Sequence, residues 1–204
     1  FHAHPPSLFQ TPELKQKYEV VAPTSQELNL FKDTVILDLL IKEQRINTIV
    51  HLANPRIYTT NEAMGTAMVM LKNVLDVCKE NGLFLVYLSS WEVYSGYKTQ
   101  ELIADESLAP CPGGSYGQAK FLSEALIEHY RRYQGLNCTI LRSSPVYGLG
   151  SDKPKFIFIW NFLHKALHNQ EITTHKYLNG LPRLDLLHID DLCDAIIAAI
   201  EHHS

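Results

Sequence analysis

The chain has 204 residues, of which 46% are hydrophobic and 20% charged, and its formal net charge is −4. This length allows one substantial core and part of a second lobe. Because no block of basic residues occurs, the charge gives no support to a nucleic-acid partner. No apolar run is long enough to span a bilayer and no signal peptide opens the chain, so we expect no membrane partner either.

The cysteines indicate a reducing environment rather than a disulfide framework. They are widely spaced and form no C-x-x-C pair, so we expect free thiols and a cytoplasmic location. His164 and His168 share a helix face at i, i+4, but no Glu lies between them and no third ligand accompanies them. We therefore expect a partly exposed pair of histidines there, and no metal site. The four cysteines are Cys78, Cys111, Cys138 and Cys193.

Short apolar segments predict the strands. Ile46–Ala53 is β-branched and continuous, as in a parallel strand that is covered on both faces. Leu83–Ser89 is the most apolar of these segments. The predicted strands are Tyr18–Ala22, Ile46–Ala53, Leu83–Ser89 and Cys138–Arg142.

Apolar residues at helical spacing lie between the strands. The first helix begins near Asp33 or Thr34, and the second ends at Asn81-Gly82. A third follows the loop that runs to Gly114, and Asp190 is expected to cap the last one. Strands that alternate with helices imply βαβ units with right-handed crossovers. The sequence therefore predicts an α/β fold with an open, doubly wound parallel sheet.

The segment S-Y-G-Q-A-K places Tyr116 and Lys120 one turn apart on the same helix face. A tyrosine has a pKa of about 10 and is by itself a poor base at neutral pH. A lysine ammonium nearby favours the phenolate, which lets the pair exchange a proton with a substrate hydroxyl. The same spacing arises by chance in many helices, so the pair needs support from its context.

Ser90 gives that support, because it directly follows an apolar strand. Parallel α/β sheets bind their ligands beyond the carboxyl ends of the strands. A hydroxyl at Ser90 would therefore hold the reacting oxygen beside Tyr116. The alternative is that Ser89 and Ser90 only cap a turn between strand and loop. We favour catalysis, because the hydroxyl and the Y-x-x-x-K pair occur together.

Five ordered motifs extend this pattern over almost the whole chain from Tyr18 onward. They are H-L-A at His51–Ala53, S-S-W-E-V-Y at Ser89–Tyr94, Y-G-Q-A-K at Tyr116–Lys120, L-R-S-S-P-V-Y-G at Leu141–Gly148 and D-L-L-H-I-D-D-L at Asp185–Leu192. With these motifs the chain resembles the extended short-chain dehydrogenases/reductases, which include nucleotide-sugar epimerases, 4,6-dehydratases, decarboxylases and 4-keto reductases. The resemblance implies a Rossmann-like dinucleotide-binding domain over residues 1–150. It also implies a partial substrate-binding lobe over residues 151–204, interleaved with the last sheet elements.

The resemblance further implies a division of labour in the site. Tyr116 would be the acid/base, Lys120 would support its charge and hold the nicotinamide ribose, and Ser90 would orient the sugar hydroxyl or ketone. The cofactor, NAD or NADP, performs the hydride chemistry and the protein positions it. The residues implied to bind the cofactor are Leu52, Ala53, Ser89, Tyr116, Lys120, Ser144 and Val146. The residues implied to bind the substrate are Ser90, Pro145 and Arg183.

Two further residues match the family in part. In the dehydratases and decarboxylases a Glu at the position of Glu92 manages the proton beside a transient ketone, which makes Glu92 a fourth catalytic candidate. A solvated loop carboxylate is the equal alternative. Trp91 beside it cannot protonate a leaving hydroxyl, which weakens the dehydratase assignment. Arg183 is expected on the nucleotide diphosphate, although Leu184 occupies the family's usual position for that arginine.

The family's Gly-rich loop is expected around residues 1–7, where the sequence F-H-A-H-P-P-S contains no glycine. Without glycine the backbone cannot easily approach a pyrophosphate. Either the loop lies outside this sequence, or the chain is a degenerate member that binds its cofactor weakly. Pro23-Thr24-Ser25 has hydroxyls and no acid, which slightly favours NADP over NAD.

The sequence thus predicts an NAD(P)-dependent enzyme that acts on a nucleotide-linked sugar by hydride transfer. An epimerase comes first, and an NADP-dependent 4-keto-sugar reductase is the alternative. The alternative from another class is a non-catalytic dinucleotide-binding or scaffold member, or an inactive fragment. By the habit of the family we expect a homodimer, formed through a helix pair that includes the Tyr116 helix.

Overall fold

The computed structural model describes residues 12–55, 60–99, 101–148, 157–174 and 185–202. Within these ranges the helices are α1 (Pro12–Lys17), α2 (Thr34–Glu43), α3 (Asn61–Asn81), α4 (Ser115–Gln134), α5 (Ile157–Leu167) and α6 (Ile189–Glu201). The strands are β1 (Thr48–His51), β2 (Phe84–Ser90), β3 (Cys138–Ser143), β4 (Val146–Tyr147) and β5 (Leu187–His188), and a 3₁₀ turn (Trp91–Tyr94) follows β2. None of the described helices is both long and apolar enough to cross a membrane.

Strands β1, β2 and β3 form a parallel sheet in that order. Helix α3 connects β1 to β2, and α4 connects β2 to β3. In the register, His51 lies beside Tyr87, and Ser90 lies beside Ser143. The predicted α/β fold with a parallel sheet is confirmed. Because the strands run in the same direction, their carboxyl ends share one edge, where such sheets bind ligands.

The main core lies between this sheet and helices α2, α3 and α4. All seven residues of β2 are buried, because this strand has a neighbour on each side. The fully buried side chains include Leu71 and Leu75 of α3, Leu85 of β2 and Ile127 of α4. Burying each such side chain stabilises the fold by about 1.5–3 kcal/mol.

A second apolar cluster joins β2 to the last helix. Leu88 of β2 is buried together with Leu192 and Ile196 of α6. Strands β4 and β5 pair in parallel, with Val146 beside Leu187, and α6 packs against both. The division into a dinucleotide-binding domain and a partial substrate-binding lobe near residue 150 stays a prediction. Strand β4 lies before this boundary and β5 after it, so their pairing connects the two predicted parts.

Three of the predicted strands are present as β1, β2 and β3, with β1 shorter than the apolar run Ile46–Ala53. The predicted end of α3 is also confirmed. Gly82 follows the helix with φ at 64°, the left-handed region that glycine enters without strain. Its N–H donates to the carbonyl oxygens of Cys78 and Lys79, which closes the last turn of the helix.

The prediction of a strand at Tyr18–Ala22 is wrong, because the structure places this segment outside any strand. The Tyr18 hydroxyl donates to Oε1 of Glu201 at 2.7 Å, so the segment is held against the end of α6. An apolar run becomes a strand only beside another strand that satisfies its backbone hydrogen bonds. In the part of the chain that the structure describes, the three-stranded sheet begins at β1.

The prediction that Asp190 caps α6 is also wrong. The N-cap is His188, whose ring Nδ1 accepts a hydrogen bond from the N–H of Asp190 at 3.3 Å. A histidine ring nitrogen can accept from the orphan N–H groups of a first turn just as a carboxylate does. Asp190 lies within the first turn, where its negative charge interacts favourably with the helix dipole.

Candidate active site

The serine predicted to be catalytic ends β2 at the carboxyl edge of the sheet. Ser90 is 7% exposed, and the 3₁₀ turn begins at the next residue. Its Oγ accepts a hydrogen bond from the N–H of Glu92 at 3.2 Å, so Ser90 does cap the turn. That bond uses a lone pair of the oxygen, and a hydroxyl retains its proton for donation. Capping the turn and holding a substrate oxygen are therefore compatible.

Tyr116 and Lys120 lie in the first two turns of α4, whose N-cap is Gly114. The Nζ atom of Lys120 lies 5.7 Å from the centroid of the Tyr116 ring. The one-turn spacing predicted from the sequence therefore brings the ammonium beside the aromatic side chain. A cation at this distance stabilises the negative charge of a phenolate.

Lys120 is buried between α4 and the sheet, with 3% of its surface exposed. Its Nζ donates to the carbonyl oxygen of Leu88 at 2.6 Å and to the hydroxyl of Tyr87 at 3.3 Å. Burial lowers the pKa of Lys120 to about 8, and the negative charge of Glu124 opposes that change. The side chain is therefore mostly charged at neutral pH, although it is removed from water.

Two aromatic rings form the environment of this lysine, and neither has a role that the sequence motifs imply. The Lys120 ammonium lies 4.7 Å from the centroid of the Tyr87 ring, and His51 stacks on Tyr87 with the ring centroids 5.8 Å apart. Burial, and then the charge of Lys120, lower the pKa of His51 to about 3. His51 is therefore neutral at physiological pH. A histidine inside an apolar strand was the sequence signal for this contact.

A close approach between α4 and the 3₁₀ turn depends on Gly117. A Cβ atom added at Gly117 would overlap the carbonyl oxygen of Glu92 and come within 3.3 Å of the Cβ of Pro112. Only glycine lets the two backbones meet at this distance. Because Tyr116 is the preceding residue, this contact also sets how near the tyrosine lies to the turn that follows Ser90.

A small cleft lies beside the tyrosine and the lysine. Asn54, Met64, Tyr116 and Lys120 are among the residues that line it. Leu52, which the family resemblance places at the cofactor, packs against the second apolar cluster. Ala53 connects Leu52 to Asn54, so the chain reaches the cleft just after β1.

The residues predicted beyond β3 lie beside β5. The Ser144 hydroxyl lies 3.4 Å from Oδ2 of Asp185, and the carbonyl oxygen of Pro145 accepts from the N–H of Leu187 at 3.0 Å. Val146 belongs to β4 and packs against the second apolar cluster. Their roles toward cofactor and substrate stay predictions.

Glu92 is half-buried, and burial raises the pKa of its carboxyl group. A raised pKa suits a group that exchanges a proton, but its catalytic role stays a prediction. Ser89 is 2% exposed, and its hydroxyl donates to the carboxylate of Glu124. Arg183 and the stretch 1–7, where the Gly-rich loop is expected, lie outside the described residues.

A serine lies at the carboxyl edge of a parallel sheet, and the helix that follows bears a tyrosine and a buried lysine one turn apart. These features define the class of extended short-chain dehydrogenases/reductases. The chain belongs to the NAD dependent epimerase/dehydratase family, whose model matches residues 10–204. The family resemblance drawn from the five sequence motifs is thereby confirmed.

Among characterised relatives, the chain is similar to the GDP-6-deoxy-D-talose 4-dehydrogenase of Aggregatibacter actinomycetemcomitans. The two are 25% identical over 197 residues, which cover 91% of this chain and 63% of that protein. The chain spans between 50% and 64% of the length of the curated relatives it matches. The activity of the whole protein is therefore a matter of proposal.

Solved structures show the same architecture. The UDP-N-acetylglucosamine 4-epimerase from Bacillus cereus superposes with a TM-score of 0.68 at 25% identity, covering 84% of this chain and 59% of that one. The UDP-glucose 4-epimerase from Brucella ovis, solved in complex with NAD, gives a TM-score of 0.72 at 18% identity, covering 94% and 62%. At that lower identity the likeness concerns the fold.

Proposed function

We propose that this chain carries the catalytic centre of an NAD(P)-dependent enzyme that transfers a hydride at a hydroxyl-bearing carbon of a nucleotide-linked sugar, and that it is an epimerase. The observation that supports this most is the buried Lys120 ammonium beside Tyr116, where both residues line the cleft. Burying a charge is costly. A buried lysine next to a tyrosine is therefore better explained by proton exchange than by a contribution to stability.

The residues present fit a nicotinamide cofactor. A lysine ammonium has three donors, and two of those of Lys120 reach the Leu88 carbonyl and the Tyr87 hydroxyl. The third can bind a ribose hydroxyl in the cleft that Asn54 and Met64 border. The nicotinamide ring would supply the site that accepts and returns a hydride.

In this proposal Tyr116 takes the proton of the sugar hydroxyl as the carbon gives up its hydride. Lys120 stabilises the phenolate that is ready to do so, and Ser90 donates a hydrogen bond to the reacting oxygen. Tyr116 would give the proton back when the ketone is reduced again from its other face, so the sugar carbon would be inverted without net oxidation.

Titration of the purified protein with NADH and NADPH, followed by nicotinamide fluorescence, tests the proposal. We expect saturable binding that Lys120→Met weakens at least about 10-fold, because the ribose contact is lost. With sugar nucleotides, Tyr116→Phe should abolish turnover and leave cofactor binding in place. If neither cofactor binds, the non-catalytic or fragment alternative replaces the enzyme. The two titrations also decide between NAD and the NADP preference predicted from Pro23-Thr24-Ser25.

A 4-keto-sugar reductase is the second candidate, because the relative from Aggregatibacter is a 4-dehydrogenase. The stoichiometry of the cofactor separates the two reactions. A reductase consumes one NAD(P)H for each sugar, whereas an epimerase shows no net change in nicotinamide absorbance. Cofactor binding without turnover of any nucleotide sugar would instead support a non-catalytic member of the family.

A further inference from the structure

A series of buried and partly buried polar contacts connects the helix of Tyr116 to β2, β3 and the 3₁₀ turn. The Ser89 hydroxyl donates to Oε1 of Glu124, and Nη2 of Arg142 donates to Oε2 of the same carboxylate at 2.7 Å. The guanidinium also donates to the Tyr94 hydroxyl. That hydroxyl in turn donates to the carbonyl oxygen of Asp105 at 3.0 Å. Both carboxylate oxygens of Glu124 are therefore in use.

The cost of this arrangement indicates that it does more than hold the fold. Glu124 is 6% exposed, and among the described residues Arg142 forms its salt bridge. Taking a carboxylate out of water costs several kcal/mol, and apolar side chains of similar volume often stabilise a core as well or better. A buried carboxylate that is paired with a partly buried arginine next to a proposed active site is thus a candidate for a role in function.

Two successive turns of α4 hold two successive residues of β2. Lys120 donates to the carbonyl oxygen of Leu88, and Glu124, one turn later, accepts from the hydroxyl of Ser89. The next residue is Ser90, the last of the strand. Lys120 and Glu124 therefore hold the two residues that precede Ser90 against the helix.

We propose that Glu124 is a positioning residue of the active site: it fixes the end of β2 through Ser89 and β3 through Arg142, and it places a carboxylate one helical turn from the buried Lys120 ammonium. This inference rests on the proposed function, in which Lys120 and Ser90 act on cofactor and substrate. It adds a residue from outside the serine, tyrosine and lysine set.

The groups that face Lys120 explain why the charge of Glu124 acts on the protonation of this lysine. They are His51 of β1, Tyr87 of β2, and Tyr116 and Glu124 of α4. His51 is neutral because its pKa is lowered to about 3, and burial raises the pKa of Tyr87 above its usual value, so that ring is neutral too. The negative charge that counteracts desolvation of Lys120 is that of Glu124.

The test is a pH titration of the lysine Nζ and Cε nuclei by NMR, with Lys120→Met used to assign the Lys120 signal. In Glu124→Gln the titration midpoint of Lys120 should fall by about one pH unit, because the favourable charge is gone. In Arg142→Met it should rise, since the guanidinium no longer neutralises part of the carboxylate charge. An ion pair that does not act on Lys120 would shift neither midpoint.

Asp76→Asn is the matched control. Asp76 of α3 accepts from the Tyr130 hydroxyl of α4 at 2.5 Å, so its loss also weakens the packing of α4. We expect it to lower thermal stability and leave the Lys120 midpoint unchanged. Circular dichroism establishes that each variant is folded, and if Glu124→Gln is not, the upward shift in Arg142→Met decides the question.

The titration requires no cofactor, so the two proposals can fail separately. Midpoints that stay in place in both Glu124→Gln and Arg142→Met overturn the role of Glu124, whatever the protein binds. Shifted midpoints together with no binding of NADH or NADPH overturn the proposed function and leave the electrostatic link intact. Where cofactor binds, its affinity in Glu124→Gln should fall with rising pH earlier than in the wild type.

Discussion

Lys120 of α4 donates a hydrogen bond to the carbonyl oxygen of Leu88 at 2.6 Å, two residues before the serine that ends β2. The proposed catalytic lysine is therefore also a packing element of the interior. This double role has consequences for stability as well as for chemistry, because the charge of Lys120 is buried.

The stability of the protein should increase with pH on account of Lys120. The pKa of this residue is about 8 in the folded protein, against an ordinary value of 10.5. Between these values the unfolded chain binds more protons than the folded one, so the free energy of unfolding rises with pH. Relative to Lys120→Met, the wild type should gain up to about 3 kcal/mol between pH 7.5 and 10. Urea unfolding at several pH values measures the difference, and a constant difference would contradict the prediction.

His51 should govern part of the acid denaturation. Its pKa is lowered from 6.5 to about 3. Between pH 3 and 6.5 the ring is therefore neutral in the folded state and protonated in the unfolded chain. Stability from this group is present above pH 6.5 and is lost as the pH falls toward 3. In His51→Phe, which keeps a ring on Tyr87, the urea midpoint should fall less between pH 6.5 and 4.5. A slope in His51→Phe equal to that of the wild type would contradict the prediction.

Gly117→Ala should disturb both stability and the site, because the new methyl group overlaps the carbonyl oxygen of Glu92. We expect a loss of about 1–3 kcal/mol, as for other overpacked positions. Turnover should fall further than the stability alone explains, since Tyr116 must move with its neighbour. Gly65→Ala in α3 meets nothing within 4 Å and should stabilise the helix by about 0.5–1 kcal/mol. Equal effects of the two substitutions would refute the close contact.

Ser90→Ala separates capping from catalysis. The loss of the cap should cost about 0.5–2 kcal/mol, and turnover should fall at least about 100-fold because a donor to the reacting oxygen is lost. Ser95→Ala is a matched control. Its hydroxyl donates to the carbonyl oxygen of Glu92 at 2.8 Å and accepts from the N–H of Gly113 at 2.9 Å, in the same turn. Similar losses of turnover in both variants would leave Ser90 with a structural role alone.

The sheet could be predicted from local patterns, because the spacing of apolar residues that is typical of strands and helices repeats within a few residues. The apolar runs at β1, β2 and β3 were found, and so was the glycine that ends α3. The same reasoning failed at Tyr18–Ala22, since a strand also needs a neighbour, and at Asp190, where the ring of His188 caps the helix instead. In both cases the outcome depends on a hydrogen-bonding partner, a neighbouring strand or a capping side chain, that a local apolar pattern does not specify.

By itself the sequence determined the parallel α/β fold, the family and the one-turn spacing of Tyr116 and Lys120, because these follow from periodicity and from the order of the motifs. Only the tertiary structure decided that Lys120 is buried against Tyr87 and that Glu124 meets Arg142. These partners lie on different elements and are brought together by the packing of α4 on the sheet. The desolvation and the charges that set the protonation of Lys120 arise from that packing.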